Sequence, residues 1–321
     1  MISIAMTTYN GEKYLCEQLD SILNQTYTDF ELIICDDCSK DKTREILNEY
    51  SKKDNRIKIY FNEENLGFKK NFERAITFCN GEYIAFCDQD DIWNSNKLEL
   101  SLANIEENSL LCTNAELTDS NLNSLGYTMK DSSTTPDLSK DKLEILKTLI
   151  HHNFVQGTTI LAKSDFIKKY LPIPEEVIFH DWYYAVCAIL ENGIKYLDEC
   201  TIKYRQHQSN VTENKKNNLR NLIKPVRYDK EKIQKDTNQK LFFLDLIISK
   251  SKETQSDKYF KDCEKYLKSL PEKKFYTLIF INKYFKYIYE NRTYFDKKII
   301  LLKHFVGYLK FKLFIKRKYF S

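Results

Sequence analysis

Glycine and proline are scarce, at seven and five in 321 residues. The turn after the first apolar run, TTYNGEKY, holds a single glycine, so no glycine-rich P-loop follows that strand. Long apolar runs are missing as well. No 18-residue apolar stretch occurs, and no membrane-spanning helix is expected. The opening residues, ISIAMTTY, enter a strand-like run without a basic or apolar lead-in, which predicts no secretory signal. Cysteine, by contrast, is plentiful. Nine thiols are scattered along the chain, several in apolar runs where a free thiol packs as a small hydrophobe. That usage suits a reducing compartment, and a cytoplasmic location follows as the expectation.

What the chain does have is core-forming material. At 42% hydrophobic residues it can build one large domain or two modest ones. Its net charge of +4 hides an asymmetry, because residues 221–321 carry 25 of the 50 Lys and Arg but only 11 of the 46 Asp and Glu. That segment is +14, and the first 220 residues are −10. The predicted division is therefore an acidic unit, 1–220, followed by a basic, aromatic-rich helical region, 221–321.

Strand-like runs (ISIAMTTY, FELIICDD, RIKIYFN, EYIAFCD) alternate with helical patterns (EKYLCEQLDSILNQ, KTREILNEYSKK, KKNFERAITFC) through the first third. Repeated β-α units with nearly all-apolar strands imply a parallel sheet covered on both faces by helices. Such sheets bind ligands beyond the carboxyl ends of their strands. After Leu110 the pattern loosens into a polar hairpin or mobile loop; DKLEILKTLI then reads as helix, QGTTILA as strand, DFIKKYL as short helix and HDWYYAVCAILENG as a helix stopped at Gly193. A basic linker, NKKNNLRN, leads to three or four further helices.

Two strand tips are strongly acidic. The second ends in Asp36 and Asp37; the fourth ends in DQDD, with Asp88, Asp90 and Asp91. Like charges this close repel, and beside apolar surface the repulsion is only partly screened. A hard divalent cation, Mg²⁺ or Mn²⁺, would neutralise them while taking substrate phosphates into its shell. Asp88 and Asp90 can face one side of such a turn, with Gln89 directed away. The alternative is that Asp90 or Asp91 caps a helix starting near residues 94–97, and that Asp36 and Asp37 form a turn and cap in DDCSKDKT.

The motifs MTTYNGEKYL, DFELIICDDCSKDKT, NLGFKKNFERAI and GEYIAFCDQDDIW, in that order, closely resemble family 2 glycosyltransferases. HDWYYAVCA followed by YRQHQSN resembles the bacterial rhamnosyltransferase-like branch. The resemblance spans about residues 1–212. It implies a GT-A fold, a Rossmann-like α/β domain with a mixed, mainly parallel sheet, whose nucleotide-sugar half is about 1–115 and acceptor half about 116–212. It implies a nucleoside diphosphate sugar donor, dTDP- or UDP-linked, with rhamnose the leading candidate, and a glycan or lipid-linked glycan acceptor in a capsule, O-antigen or wall polymer.

Residue roles follow from the same resemblance. Thr7 and Tyr9 would line the base pocket, Asp36 and chiefly Asp37 would hold base or ribose, and Asn65 and Gly67 would let backbone approach the nucleotide. Asp88 and Asp90 match the D-x-D metal motif, and Asp91 would contact ribose or sugar. Asp181, which from the residues alone reads as a helix N-cap, matches the base that takes the acceptor proton; His180 would orient it. Trp182 would stack on a sugar or fill the core. Arg205 would contact phosphate oxygens, and His207 would supply a third metal ligand or a phosphate contact. Gln156 and Gly157 resemble the acceptor side of the pocket.

Residues 272–321 interleave lysine with Tyr, Phe, Ile and Leu, and no acid follows Asp296. Basic amphipathic helices of this kind suit an anionic membrane surface, here the inner face of the cell membrane, or else pack their aromatic stripes together. No nucleic-acid module is present. Two rivals remain: a nucleotidyl- or phosphotransferase on a similar sheet, and a non-catalytic sugar-nucleotide binding protein.

Overall fold

The computed structural model describes residues 1–133, 135–207, 230–251, 254, 256–270 and 276–288. These residues fall into two compact units, one of 1–133, 154–174 and 179–207, the other of 135–153, 175–178 and the described residues from 230 onward.

The first unit is built on a nine-stranded sheet. Strand β1 (Ile2–Thr8) lies between β2 (Phe30–Asp36) and β4 (Tyr83–Cys87), and β3 (Ile57–Phe61) flanks β2, all in parallel. Helices α1 (Leu15–Leu23), α2 (Thr43–Lys53) and α3 (Phe68–Phe78) connect them. This is the β-α alternation read from the sequence. Strands β1 and β2 are buried on both faces, so side chains of alternate residues pack on different helices. Ile4 and Leu32 join Leu15, Leu19 and Leu47 of α1 and α2 on one face. On the other, Phe72 of α3 meets Phe86 of β4. Each fully buried Leu or Ile contributes roughly 1.5–3 kcal/mol.

Beyond β4 come the two-residue β5 (Ile92–Trp93), α4 (Lys97–Asn104), β6 (Leu110–Thr118) and β7 (Ser124–Thr128). The segment after Leu110 is thus ordered: β6 and β7 form the hairpin alternative, closed where the Asp119 carboxylate accepts from Asn121 N and Asn123 N. Short helices α5 (Met129–Ser132) and α6 (Lys142–Leu149) follow. QGTTILA is only partly strand. Thr159 bonds back to Gln156 O through both its N–H and its hydroxyl, which closes a 3₁₀ turn over Gly157–Thr159 before β8 (Ile160–Lys163). Then come α7 (Ser164–Lys169), α8 (His180–Leu190) and β9 (Ile194–Arg205). Gly193, at φ 96°, donates its N–H to Ala188 O and ends α8 as expected. Strand β8 joins β4 and β6 antiparallel, while β9 runs parallel to β6. The sheet is therefore mixed, its parallel half carrying the acidic tips.

The second unit contains α6 and the helices α9 (Lys230–Lys250), α10 (Lys258–Ser269), α11 (Tyr276–Lys283) and α12 (Phe285–Ile288). Its aromatic residues pack on each other: Tyr266 stacks on Phe280 with centroids 4.4 Å apart, and Tyr259 meets Tyr287 edge-on at 4.9 Å. Tyr259 also anchors α6, its hydroxyl lying 2.7 Å from His151 Nε2 and donating to Lys147 O at 2.9 Å. The linker and most of the basic tail, 289–321, lie outside the described residues.

Candidate active site

Because β1, β2 and β4 are parallel neighbours, Thr8 is in register with Asp36, and Met6 with Cys87. The tips carrying Thr7 to Tyr9, Asp36 to Asp37 and the DQDD turn therefore lie side by side. Their carboxylates do different jobs.

Asp36 is fully buried and saturated with donors: Thr8 Oγ1, Ser39 N, Ser39 Oγ and Arg44 Nε, the last at 2.7 Å. It organises the β2–α2 turn. Asp37 accepts from Asn62 Nδ2 (2.8 Å), Leu66 N (2.7 Å) and Gly67 N (2.9 Å), while Asn65 Nδ2 donates to its carbonyl. Gly67, at φ 78°, needs the freedom of glycine there. The Asp37 carboxylate thus shapes the loop holding Asn65 and Gly67 where α3 begins. Thr7 is half-buried and Tyr9 exposed at that same edge.

In the DQDD turn Gln89 is directed to the end of β1. Its side-chain amide brackets the backbone of Tyr9, accepting from Tyr9 N at 2.8 Å and donating to Tyr9 O at 3.0 Å. A Cβ on Gly11 would stand 2.2 Å from Gln89 Oε1, so glycine is what lets this brace form. Asp88 is half-buried. Desolvation, reinforced by the charges of Asp90 and Asp181, pushes its carboxyl from 3.8 up to about 7. Asp91 is likewise pushed up, by burial and by the charges of Asp90 and Asp88. Its Oδ1 accepts from Arg205 N, so neither Asp90 nor Asp91 caps α4, whose N-cap position is Asn96. His207 Nε2 lies 2.9 Å from Asp90 Oδ2, which brings three expected metal-binding residues into one turn and its neighbouring strand end.

Arg205 is buried, with its guanidinium donating to Asp90 O, Ser120 O and Glu17 Oε2 and lying 4.3 Å from the Tyr14 ring centroid. Tyr14 also touches the His207 ring at 4.9 Å. The arginine consequently braces the DQDD turn. A second buried cation, Lys97, sits 4.8 Å from the Trp93 ring centroid, and desolvation lowers its ammonium to about 8.

Helix α8 brings the remaining candidates. Its N-cap position is Phe179, and Asp181 stands in the first turn, so the cap alternative is not what the helix uses. There the helix dipole favours a carboxylate. Asp181 Oδ2 accepts from Gly157 N at 3.2 Å, which joins the Gln156–Gly157 turn to the helix start. Trp182 is 6% exposed and belongs to the core. His180 is 7% exposed, and neither ring nitrogen has a hydrogen-bond partner. Desolvation lowers its imidazole to about 4, which keeps it neutral.

Sequence reasoning missed the roles of Gln89, Tyr14 and Glu17, because each acts through a contact between distant segments, and the burial of Lys97 beside Trp93, which depends on the strands packed around it. It also passed over the C-x-x-C spacing of Cys35 and Cys38. Both are free thiols: Cys35 is buried in β2, and Cys38 Sγ donates to Asn62 O.

As to a cation, among the described residues no group of three or more His, Cys, Asp or Glu side chains is arranged to hold one by itself. The donor set of two carboxylates and an imidazole nevertheless fits Mn²⁺ or Mg²⁺. Such ions take one or two protein carboxylates and complete their shell with water and phosphate. Burial and the charges of Asp90 and Asp181 raise the Asp88 carboxyl, and a bound cation would offset that crowding.

Comparison with known proteins now adds to this geometry. The family model described as "Glycosyl transferase family 2" matches residues 3–171. The chain is 31% identical over 219 residues to the UDP-Glc:alpha-D-GlcNAc-diphosphoundecaprenol beta-1,3-glucosyltransferase WfgD of Escherichia coli, covering 67% of this chain and 81% of that protein. It is 39% identical over 109 residues to the putative teichuronic acid biosynthesis glycosyltransferase TuaG of Bacillus subtilis, covering 34% of this chain and 43% of that one. Its fold resembles the crystal structure of S. aureus TarS 1-349 in complex with UDP-GlcNAc, with TM-score 0.55 and 21% identity over 97% of this chain and 81% of the other.

Proposed function

The chain belongs to glycosyl transferase family 2, and on that premise we propose that it is an inverting enzyme moving a hexose from a UDP-sugar to a hydroxyl of a growing surface glycan. Asp181 takes the proton of that hydroxyl as its oxygen attacks the anomeric carbon. The bond from that carbon to the diphosphate breaks, and the nucleoside diphosphate leaves with the electron pair. One observation supports this reading: the ring of Phe86, on β4 two residues before Asp88, lies 5.4 Å from that of His180, the residue before Asp181. The residue read as the base and the turn read as the diphosphate seat are thus brought near each other.

Asp88 and Asp90, with His207, would hold Mn²⁺ or Mg²⁺. Bound there, the ion supplies positive charge to the departing diphosphate. Thr7 and Tyr9 line the base side, Asp37 fixes the Asn65–Gly67 turn against it, and Asp91 and Arg205 hold the DQDD turn in place. Gln156 and Gly157 border the acceptor side.

A UDP donor is supported by the names of the E. coli relative and the TarS complex, and a lipid-linked or wall-polymer acceptor by those of the E. coli and B. subtilis relatives. Rhamnose from dTDP-rhamnose is the second reading, favoured by HDWYYAVCA and YRQHQSN. A lipid-linked acceptor also suits an enzyme peripheral to the inner face of the membrane. No helix of the described residues is long and apolar enough to cross one.

A donor panel with Mn²⁺, scored by nucleoside diphosphate release, separates UDP-glucose, UDP-GlcNAc and dTDP-rhamnose. In the same assay Asp181→Asn should keep donor binding and lose about 10²–10⁴-fold in transfer. Unchanged transfer in that variant would leave a sugar-nucleotide binder or another reaction as the better account.

A further inference from the structure

Transfer to a sugar hydroxyl needs a surface that presents the acceptor ring to the base, and the aromatic residue nearest Asp181 in sequence, Trp182, is buried. Phe68 is not. It is the first residue of α3, directly after Gly67, and it remains 39% exposed despite its size. Its ring centroid lies 6.3 Å from that of His180 and 6.4 Å from that of Phe179, the two residues immediately before the base. An exposed aromatic face thus stands at the entrance to α8.

The second observation is the state of His180 itself. Its ring is enclosed by Phe72 and Phe86, at centroid distances of 4.6 and 5.4 Å, and both nitrogens go unpaired. Leaving a buried polar group unsatisfied is unfavourable, a penalty a bound ligand can relieve. Nε2 lies 3.3 Å from where a Cβ on Gly157 would stand, so that nitrogen faces the turn whose N–H holds Asp181. A neutral imidazole offers one donor and one acceptor, which suits a hydroxyl. An apolar ring face beside an unpaired neutral donor and acceptor matches the two-sided chemistry of a pyranose, with its C–H face and its hydroxyl rim.

We propose that Phe68 is the stacking platform for the acceptor's pyranose ring, with His180 as the hydrogen-bonding group at its edge, so that the reacting hydroxyl is delivered to Asp181. This rests on the reading of the site as a glycosyl-transfer centre with Asp181 as base. Phe68 is a positioning residue. It orients the acceptor and takes no part in binding UDP.

The test uses the full chain with Mn²⁺ and UDP, and methyl N-acetyl-α-D-glucosaminide and methyl α-D-glucoside as acceptor probes. Saturation-transfer NMR reads contact at the probes' ring C–H groups, and calorimetry reads UDP affinity separately. Phe68→Ala should lower the ring signal about five-fold. Phe68→Trp should retain that signal, and UDP affinity should change less than about two-fold in either variant. Wild-type signal in Phe68→Ala, no ring signal in a wild-type protein that binds UDP, or an equal loss of UDP and probe binding would each overturn the assignment. A wild-type protein that binds no UDP would instead sink the parent reading and the platform with it.

Discussion

At the scale of single residues, the carboxylates at the two acidic tips look alike in sequence and differ in what surrounds them. Asp36 and Asp37 are met by donors; Asp88 is met by burial and by other acids. The folded chain therefore binds a proton at Asp88 more tightly than the unfolded chain. That contribution to stability is fully present below about pH 4 and is lost as pH rises toward 7. Asp88→Asn should accordingly raise the melting temperature of the metal-free protein at pH 8 by about 2 °C or more, with the gap closing at pH 4. A gap that stays constant with pH would contradict the assigned environment. DQDD could be singled out from sequence because charge crowding is a local feature, whereas Asp181 read locally as a helix cap and stood out only through the family resemblance. His180 was expected to orient that base, but its nitrogens are unpaired in surroundings set by Phe72, Phe86 and Gly157, which come from three other segments. Nor was the burial of Trp182 legible, since no local pattern distinguishes it from an exposed sugar platform.

Among elements, the parallel strands were the most legible, since β1, β2 and β4 are apolar on both faces and end abruptly in polar residues. Strand β6 was harder to see. Its polar residues, Thr113 and Asn114, are buried by pairing with Thr201 and Asp198 of β9, partners more than 80 positions away. The strand tips are also tied together by contacts between loops. The brace from Gln89 to Tyr9 fastens the DQDD turn to the end of β1, and Gly11 leaves room for it. Gly11→Ala should swing Gln89 out and forfeit two hydrogen bonds, a loss of about 1–3 kcal/mol. We expect weaker UDP binding together with a lower melting temperature. A variant with native stability and native UDP affinity would show that the brace does not position the turn.

For the whole molecule, the charge asymmetry divides the chain into a net-acidic part and a net-basic one. Residues 221–321 carry the net positive charge, and their basic close lies outside the described residues. The full chain should cosediment with vesicles containing phosphatidylglycerol at low salt and be released as salt rises. Exchanging Lys316, Arg317 and Lys318 for glutamate should weaken this attachment, and unchanged sedimentation would show that these charges do not hold the chain to the vesicle. The proposed chemistry lies within the first 207 residues, and there everything turns on whether the acidic tips seat a cation that carries the diphosphate. The most direct measurement is UDP affinity by calorimetry in Mn²⁺ and in EDTA, for the wild type and for Asp88→Asn. Mn²⁺ should tighten UDP binding about tenfold or more in the wild type and give no such gain in the variant. Equal UDP affinity in EDTA and in Mn²⁺, in a wild-type protein that turns over its donor, would contradict the account.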